Sequence, residues 1–205
     1  MSKKKKNIAV FVSGGGTNLQ ALIDAEQHGV IKSGTISLVI SNNSDAFALT
    51  RAKTAGIPTV VITKKDCGSQ EAFEDKLIKT VKAARIDLIV LAGFMSILSE
   101  NFTSLFDHRI INVHPSLIPS FCGKGFYGIK VHEAALARGV KLTGATVHFV
   151  NEIPDGGEII MQKAVAILPT DTAESLQKRV MRLAEWRILP AAVEKVCAQM
   201  SDLTN

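Results

Sequence analysis

Asn7-Ile8-Ala9-Val10-Phe11-Val12, followed by Ser13-Gly14-Gly15-Gly16-Thr17-Asn18 and then by Leu19, Leu22 and Ile23, reads as strand, glycine loop and helix. As far as His114, the chain downstream repeats the alternation. Ile36 to Ile40 is a second apolar strand, and Ser41 to Asp45 supplies short polar side chains suited to capping a helix that runs past Arg51 and stops at Gly56. Ile57 to Ile62 reads as a strand whose Pro58 suits an edge position. Ser69 can cap a helix with Phe73, Leu77, Ile78 and Val81 on one face. Leu88 to Leu91 is continuously apolar, as a parallel strand covered on both faces should be, and Ile110 to Val113 follows after a short helix. The expectation is an α/β fold, a Rossmann-like and mostly parallel sheet with helices on both faces.

The pattern changes beyond His114. Pro115, Pro119, Gly123, Gly125 and Gly128 punctuate an irregular segment, after which His132 to Arg138 looks helical. Gly144 to Val150 and Glu158 to Ala166 flank a turn and could pair as an antiparallel edge. Asp171 with Glu174 has the pattern of a capping box opening a long last helix, with a kink expected near Pro190.

The 205 residues carry 24 basic and 19 acidic side chains for a net charge of +5, and without the four lysines of Lys3 to Lys6 the balance is +1. A solvated basic tail at 1–6 on one domain spanning 1–205 therefore accounts for the charge. With a single Trp and a single Tyr as stacking platforms, nucleic-acid binding is disfavoured. The longest apolar run, Leu88 to Met95, is a strand's length and far short of the roughly 18 to 20 residues of a membrane span, so a cytoplasmic protein is expected. Cys67, Cys122 and Cys197 are far apart and lack CxxC spacing, so neither disulfides nor a metal site is suggested.

Ligands of open α/β sheets bind beyond the carboxyl ends of the strands. Four places qualify. Gly14, Gly15, Gly16, Thr17 and Asn18 combine bare backbone amides with a helix N-terminus, which favours a phosphate. The spacing is not GxGxxG, because Leu19 takes its last position and no acidic residue follows the second strand at the ribose position, so a nicotinamide coenzyme is disfavoured. Asn112 and His114 alternate onto one face at a strand end, where an amide and an imidazole can converge on an oxyanion. Asp155 lies in a Gly-rich turn and could orient an imidazole or accept a proton, although a solvated turn residue is the simpler reading of it alone. Phe94, Met95, Ser96, Ile97 and Leu98 form an apolar loop that could wall a flat cofactor or merely pack the core. Among the other histidines, His28, His108 and His132 read as surface residues, and His148 sits mid-strand. No nucleophile elbow is present, so covalent acyl-enzyme chemistry has no support.

Taken in order, Ser13 to Leu19, Leu91 to Leu98, Asn112 to Pro119, Gly144 to Val150 and Asp155 to Gly157 resemble the phosphoribosylglycinamide formyltransferases, over nearly the whole chain. The resemblance implies the formyltransferase fold and a single reaction, in which the amine of glycinamide ribonucleotide attacks the formyl group of 10-formyltetrahydrofolate. It places the substrate phosphate on Gly14 to Asn18 and the folate in a cleft lined by Phe94 to Leu98, Asn112, Ile153 and Asp155. It also makes Asn112, His114 and Asp155 the catalytic trio, matches Glu185 to an acid that contacts the ribonucleotide, and implies no metal and a monomer or homodimer. Two departures stand out: Gln70 where many members have Arg, and Ser96 where a basic residue is common. The segment Phe121 to Gly128 is longer than in some members. Methionyl-tRNA formyltransferase and formyltetrahydrofolate deformylase resemble the core but carry a further domain that 205 residues leave no room for. The rival readings are a formyltetrahydrofolate hydrolase and a non-catalytic nucleotide-binding module.

Overall fold

The strand β1 (Lys6–Val12) sends Ile8, Val10 and Val12 into one buried cluster and Ala9 and Phe11 into another. It is apolar on both faces because each face is covered. The computed structural model describes residues 4–202. After β1 come α1 (Thr17–Gln27), β2 (Gly34–Ser41), α2 (Phe47–Thr54), β3 (Thr59–Val61), α3 (Lys64–Cys67), α4 (Gln70–Ala83) and β4 (Leu88–Leu91). Then follow α5 (Glu100–Leu105), β5 (Ile110–His114), α6 (Ile129–Arg138), β6 (Leu142–Phe149), β7 (Ile159–Ala166), α7 (Ala173–Val180) and α8 (Trp186–Asp202). The seven strands form one sheet in the order β3-β2-β1-β4-β5-β6-β7. Pairings from β3 through β5 are parallel, and β5–β6 and β6–β7 are antiparallel.

This is the expected mostly parallel sheet with its antiparallel edge. Residues of α1, α2, α7 and α8 join the cluster on one face, while Phe73, Leu77 and Val81 of α4 and Phe102 of α5 join that on the other. The chain leaves β1 towards β2 and returns at β4 on its other side, so a crevice opens between the ends of β1 and β4. The Met95 N–H donates to the Ser13 hydroxyl across it at 2.8 Å. Pro58 indeed precedes an edge strand, where its missing N–H faces no partner strand and its carbonyl accepts from Val39 at 2.9 Å.

Several local expectations need correction. Lys6 already belongs to β1, so the basic tail is shorter than 1–6, and residues 1–3 of it lie outside the described residues. The polar cluster after β2 does not cap α2. Ala46 is the N-cap and supplies no side-chain bond, while the Asn43 side chain instead accepts from the Asp45 N–H at 3.0 Å to close its own turn. Thr172 and Ser175, rather than Asp171 and Glu174, form the capping box of α7. Asp171 is drawn away by Arg179, whose guanidinium holds its carboxyl down at a pKa of about 2. The break in the last helix precedes Pro190: Met181–Glu185 is a π-helical turn between α7 and α8, with the Trp186 N–H donating to Met181. Such wide turns are frequent at functional sites.

Candidate active site

Asn112 and His114 share one face of β5 with register partners on β6, Asn112 opposite His148 and His114 opposite Thr146. The first turn beyond β6 brings back Asp155 in a left-handed conformation (φ 57°) that a non-glycine residue seldom adopts. Gly157 makes that turn possible, because a Cβ there would lie 1.9 Å from the Phe149 carbonyl oxygen. The result is a carboxylate between two imidazoles. Asp155 Oδ2 is 3.4 Å from His114 Nδ1, and Oδ1 is 3.5 Å from His148 Nε2. Asn112 Nδ2 lies 3.3 Å from His148 Nε2.

Backbone carbonyls set both rings. A carbonyl can only accept, so His114 Nε2 donates to Phe121 O at 2.8 Å and His148 Nδ1 donates to Phe149 O at 2.7 Å. The other ring nitrogens, His114 Nδ1 and His148 Nε2, are thereby aimed at Asp155. Asn112 stands beside this pair, and its side chain also faces the cleft. Burial drives the His114 pKa down, with the Phe121 carbonyl and Asp155 pulling the other way. Burial also works against the Asp155 carboxylate, but the His148 hydrogen bond, the His114 charge and the Gly123 N–H at 2.9 Å outweigh it and hold its pKa below the usual range. The net lowering at His114 differs from the raised basicity that a neighbouring carboxylate alone would give, because desolvation is the larger effect.

The cluster lies on the wall of a cleft of about 610 Å³. Asn18, Phe94, Met95, Ser96, Ile97, Asn112, His114, Asp155 and Glu185 all reach it. A smaller recess of about 140 Å³ adds Leu98, His148 and Ile153 and shares Asn112 and Asp155. Gly14, Gly15 and Gly16 do not line either recess; they form open surface next to Asn18. Thr17 faces a separate groove with Arg51 and Trp186. Within the apolar loop the residues divide. Leu98 is buried and Phe94 packs edge-on against Phe11 with ring centres 5.3 Å apart, whereas Met95 and Ile97 stand exposed at the rim.

Glu185 comes from the π-helical turn. It is buried, Asn18 Nδ2 donates to its Oε2 at 2.8 Å, and burial raises its pKa against that hydrogen bond. Gln70 and Ser96 are engaged with protein. Gln70 Nε2 donates to Glu74 at 2.6 Å and to the Ile97 carbonyl at 3.2 Å, and Glu74 also accepts from the Ser99 N–H at 2.7 Å. Ser96 accepts from Asn42 Nδ2 at 2.7 Å. Neutral contacts thus tie the apolar loop to α4 and to the end of β2.

Two features escaped sequence reasoning. His132 is fully buried rather than on the surface, lines the cleft, and has no partner for either ring nitrogen; burial lowers its pKa to about 4. Starting the helix at His132 hid this, since α6 begins at Ile129 and turns Val131, His132 and Ala135 inwards together. The segment 121–128 closes over the trio: Phe121 O holds His114, Gly123 N holds Asp155, and Gly123 to Gly128 line the cleft. No spacing of glycines alone announces such contacts. Among the described residues no group of His, Cys, Asp or Glu side chains could hold a metal ion.

The chain is similar to known proteins over most of its length. The formyl transferase family model matches residues 6–193. Trifunctional purine biosynthetic protein adenosine-3 of Drosophila melanogaster is 45% identical over 189 residues, covering 91% of this chain but only 14% of that much longer protein. Phosphoribosylglycinamide formyltransferase of Haemophilus influenzae is 42% identical over 189 residues, covering 92% of this chain and 86% of the relative. The solved structure of phosphoribosylglycinamide formyltransferase from Coxiella burnetii superposes with a TM-score of 0.88 at 42% identity, covering 96% of this chain and 89% of that one. A family match over residues 6–193, with a fold shared at this identity over nearly the full chain, leads to one conclusion: the chain belongs to the formyl transferase family.

Proposed function

We propose that the protein transfers the formyl group of 10-formyltetrahydrofolate to the amine of glycinamide ribonucleotide, N1-(5-phospho-D-ribosyl)glycinamide, in purine biosynthesis. The observation that carries the reading is Asp155, fixed between His114 and His148 beside the Asn112 amide on the wall of a two-lobed cleft. The folate head occupies the recess formed by Leu91, Phe94, Leu98, Val150 and Ile153, apolar enough for a flat ring and edged by backbone. The ribonucleotide enters the larger lobe, its phosphate on the N–H groups of Gly14 to Asn18 and its polar body against Glu185.

The substrate amine attacks the formyl carbon, forming a C–N bond as the carbonyl π pair moves to oxygen. An Asn112 N–H holds that oxyanion, and Asp155, 3.4 Å from His114 Nδ1, supports the charged imidazole when that nitrogen takes up a proton as the oxyanion forms. Asp155 takes up the ammonium proton through water, and the bond to the folate nitrogen breaks as that nitrogen receives a proton in turn. Atoms and charge balance with no metal in any step.

The test is the folate absorbance change when protein, glycinamide ribonucleotide and 10-formyltetrahydrofolate are mixed, beside a control without the ribonucleotide. Conversion only with the ribonucleotide is expected. Conversion in the control would make the protein a formyltetrahydrofolate hydrolase, and binding without conversion would make it a nucleotide-binding module.

A further inference from the structure

We infer that Arg51, helped by Asn43 and the N-terminus of α2, is a positioning residue that sets the substrate-phosphate loop by turning its carbonyls away from the anion. The inference rests on the phosphate placement proposed above. Three consecutive carbonyls of the loop are taken by one stretch of chain, 43–51. Asn43 Nδ2 donates to Ser13 O at 3.3 Å, the Ala48 N–H donates to Gly14 O at 3.0 Å, and Arg51 Nε donates to Gly15 O at 2.9 Å.

In a trans peptide the C=O of one residue and the N–H of the next point in opposite directions. Fixing the carbonyls of 13, 14 and 15 towards 43–51 therefore aims the N–H groups of Gly14, Gly15 and Gly16 away from it. They meet no protein acceptor among the described residues, and α1 starts directly behind them without a side-chain cap. Successive amides aimed one way make an anion-binding concavity, strengthened by the helix N-terminus. A separate observation points to a ligand here. In the first turn of α1, Asn18 donates from its amide nitrogen to Glu185 in the cleft and keeps a buried Oδ1 with no partner.

Arg51 is well fixed for such a task. Its Nη1 donates to Gln20 at 3.1 Å and its guanidinium lies 5.0 Å above the Phe47 ring, so the side chain is braced on α1 and α2 before any ligand arrives. Gly16 sits tightly on the same helix, where a Cβ would come within 2.6 Å of Ala48. The loop is thereby held in its anion-accepting form, and the ordering cost of binding is met in advance.

The bond to Gly15 O comes from Nε, which gives the idea a sharp test. Glutamine places its amide nitrogen where arginine has Nε, lysine places a methylene there but keeps the positive charge, and methionine places a methyl there and keeps neither. Titration calorimetry with ribose 5-phosphate on the full chain reads the anion site without any formyl transfer. Arg51→Gln is expected to bind within about threefold of the unaltered protein, while Arg51→Lys and Arg51→Met bind about tenfold more weakly. In the transfer assay the same two variants raise KM for the ribonucleotide and leave KM for the formyl folate and kcat unchanged. Thermal unfolding of each variant verifies the fold, and Gln against Lys decides the matter even where Met fails to fold. Tight binding by Lys with weak binding by Gln would make Arg51 a charge acting on the phosphate and overturn the proposal. Equal binding by all three would overturn it as well. Failure of the unaltered protein to bind ribose 5-phosphate removes the phosphate from this loop, whereas binding without formyl transfer sinks the proposed reaction and leaves the loop assignment standing.

Discussion

The loop after β1 and the turn after β6 serve the same proposed reaction, yet they are built from different materials. The first offers a ligand only backbone N–H groups, so its geometry depends on what holds the peptide planes, Asn43, Ala48 and Arg51, and its own side chains hardly matter. The second offers a carboxylate, and its geometry depends on groups from three places: the His114 side chain on β5, the His148 side chain on β6 and the backbone of 121–123. A backbone site tolerates side-chain change and fails when a peptide rotates. A side-chain site fails when one functional group is lost.

The steepest expected effect is at the turn. Asp155→Asn keeps the size of the side chain and removes the base, so turnover should fall by a factor on the order of hundreds or more, with the ribonucleotide Kd nearly unchanged. Wild-type turnover in single-turnover kinetics would break the distinction at its strong end. Gly157→Ala drives a Cβ into the Phe149 carbonyl and should shift Asp155 with the turn, lowering kcat by roughly a hundredfold while leaving phosphate binding alone. A parallel loss of ribose 5-phosphate affinity would mean that the two regions are not independent.

A smaller effect is expected from pH. The folded pKa of His132, about 4, lies below its ordinary 6.5, so the unfolded chain takes the proton first. The stability is complete above about pH 6.5 and is lost as pH falls towards 4, by roughly 3 kcal/mol in all. Urea unfolding at stepped pH should show that slope in the unaltered protein and a shallower one in His132→Asn; equal slopes would contradict the assignment. Smallest is Gly16→Ala, where positive φ and contact with Ala48 together cost about 1–2 kcal/mol of stability and weaken ribose 5-phosphate binding. An unchanged kcat with saturating ribonucleotide would sharpen the contrast, because it separates holding the phosphate from moving the proton.

How much of this could be read in advance follows the same division. The succession of strands and helices was approachable because apolar runs and turns are local, and Pro58 even marked the edge strand. Asn112 and His114 could be paired from the period of two along β5. The capping residues of α2 and α7 went astray because Asp171 and the 43–45 turn found better partners elsewhere, Arg179 in one case and their own backbone in the other. His132 was misplaced because a shift of three residues in a helix start moves a side chain from solvent to cleft.

By itself the sequence determined which segments are strand, loop and helix, where the glycines free the backbone, and which residue types stand at the strand ends, since each of these follows from neighbours a few positions apart. Only the tertiary structure decided that Phe121 O and Gly123 N set His114 and Asp155, that Glu185 reaches Asn18 from a π-helical turn, and that 43–51 orients the phosphate loop. Those contacts join groups far apart in the chain. Hydrogen-bond direction and desolvation, which fix ring orientation and proton affinity, depend on atoms that meet only once the sheet has closed.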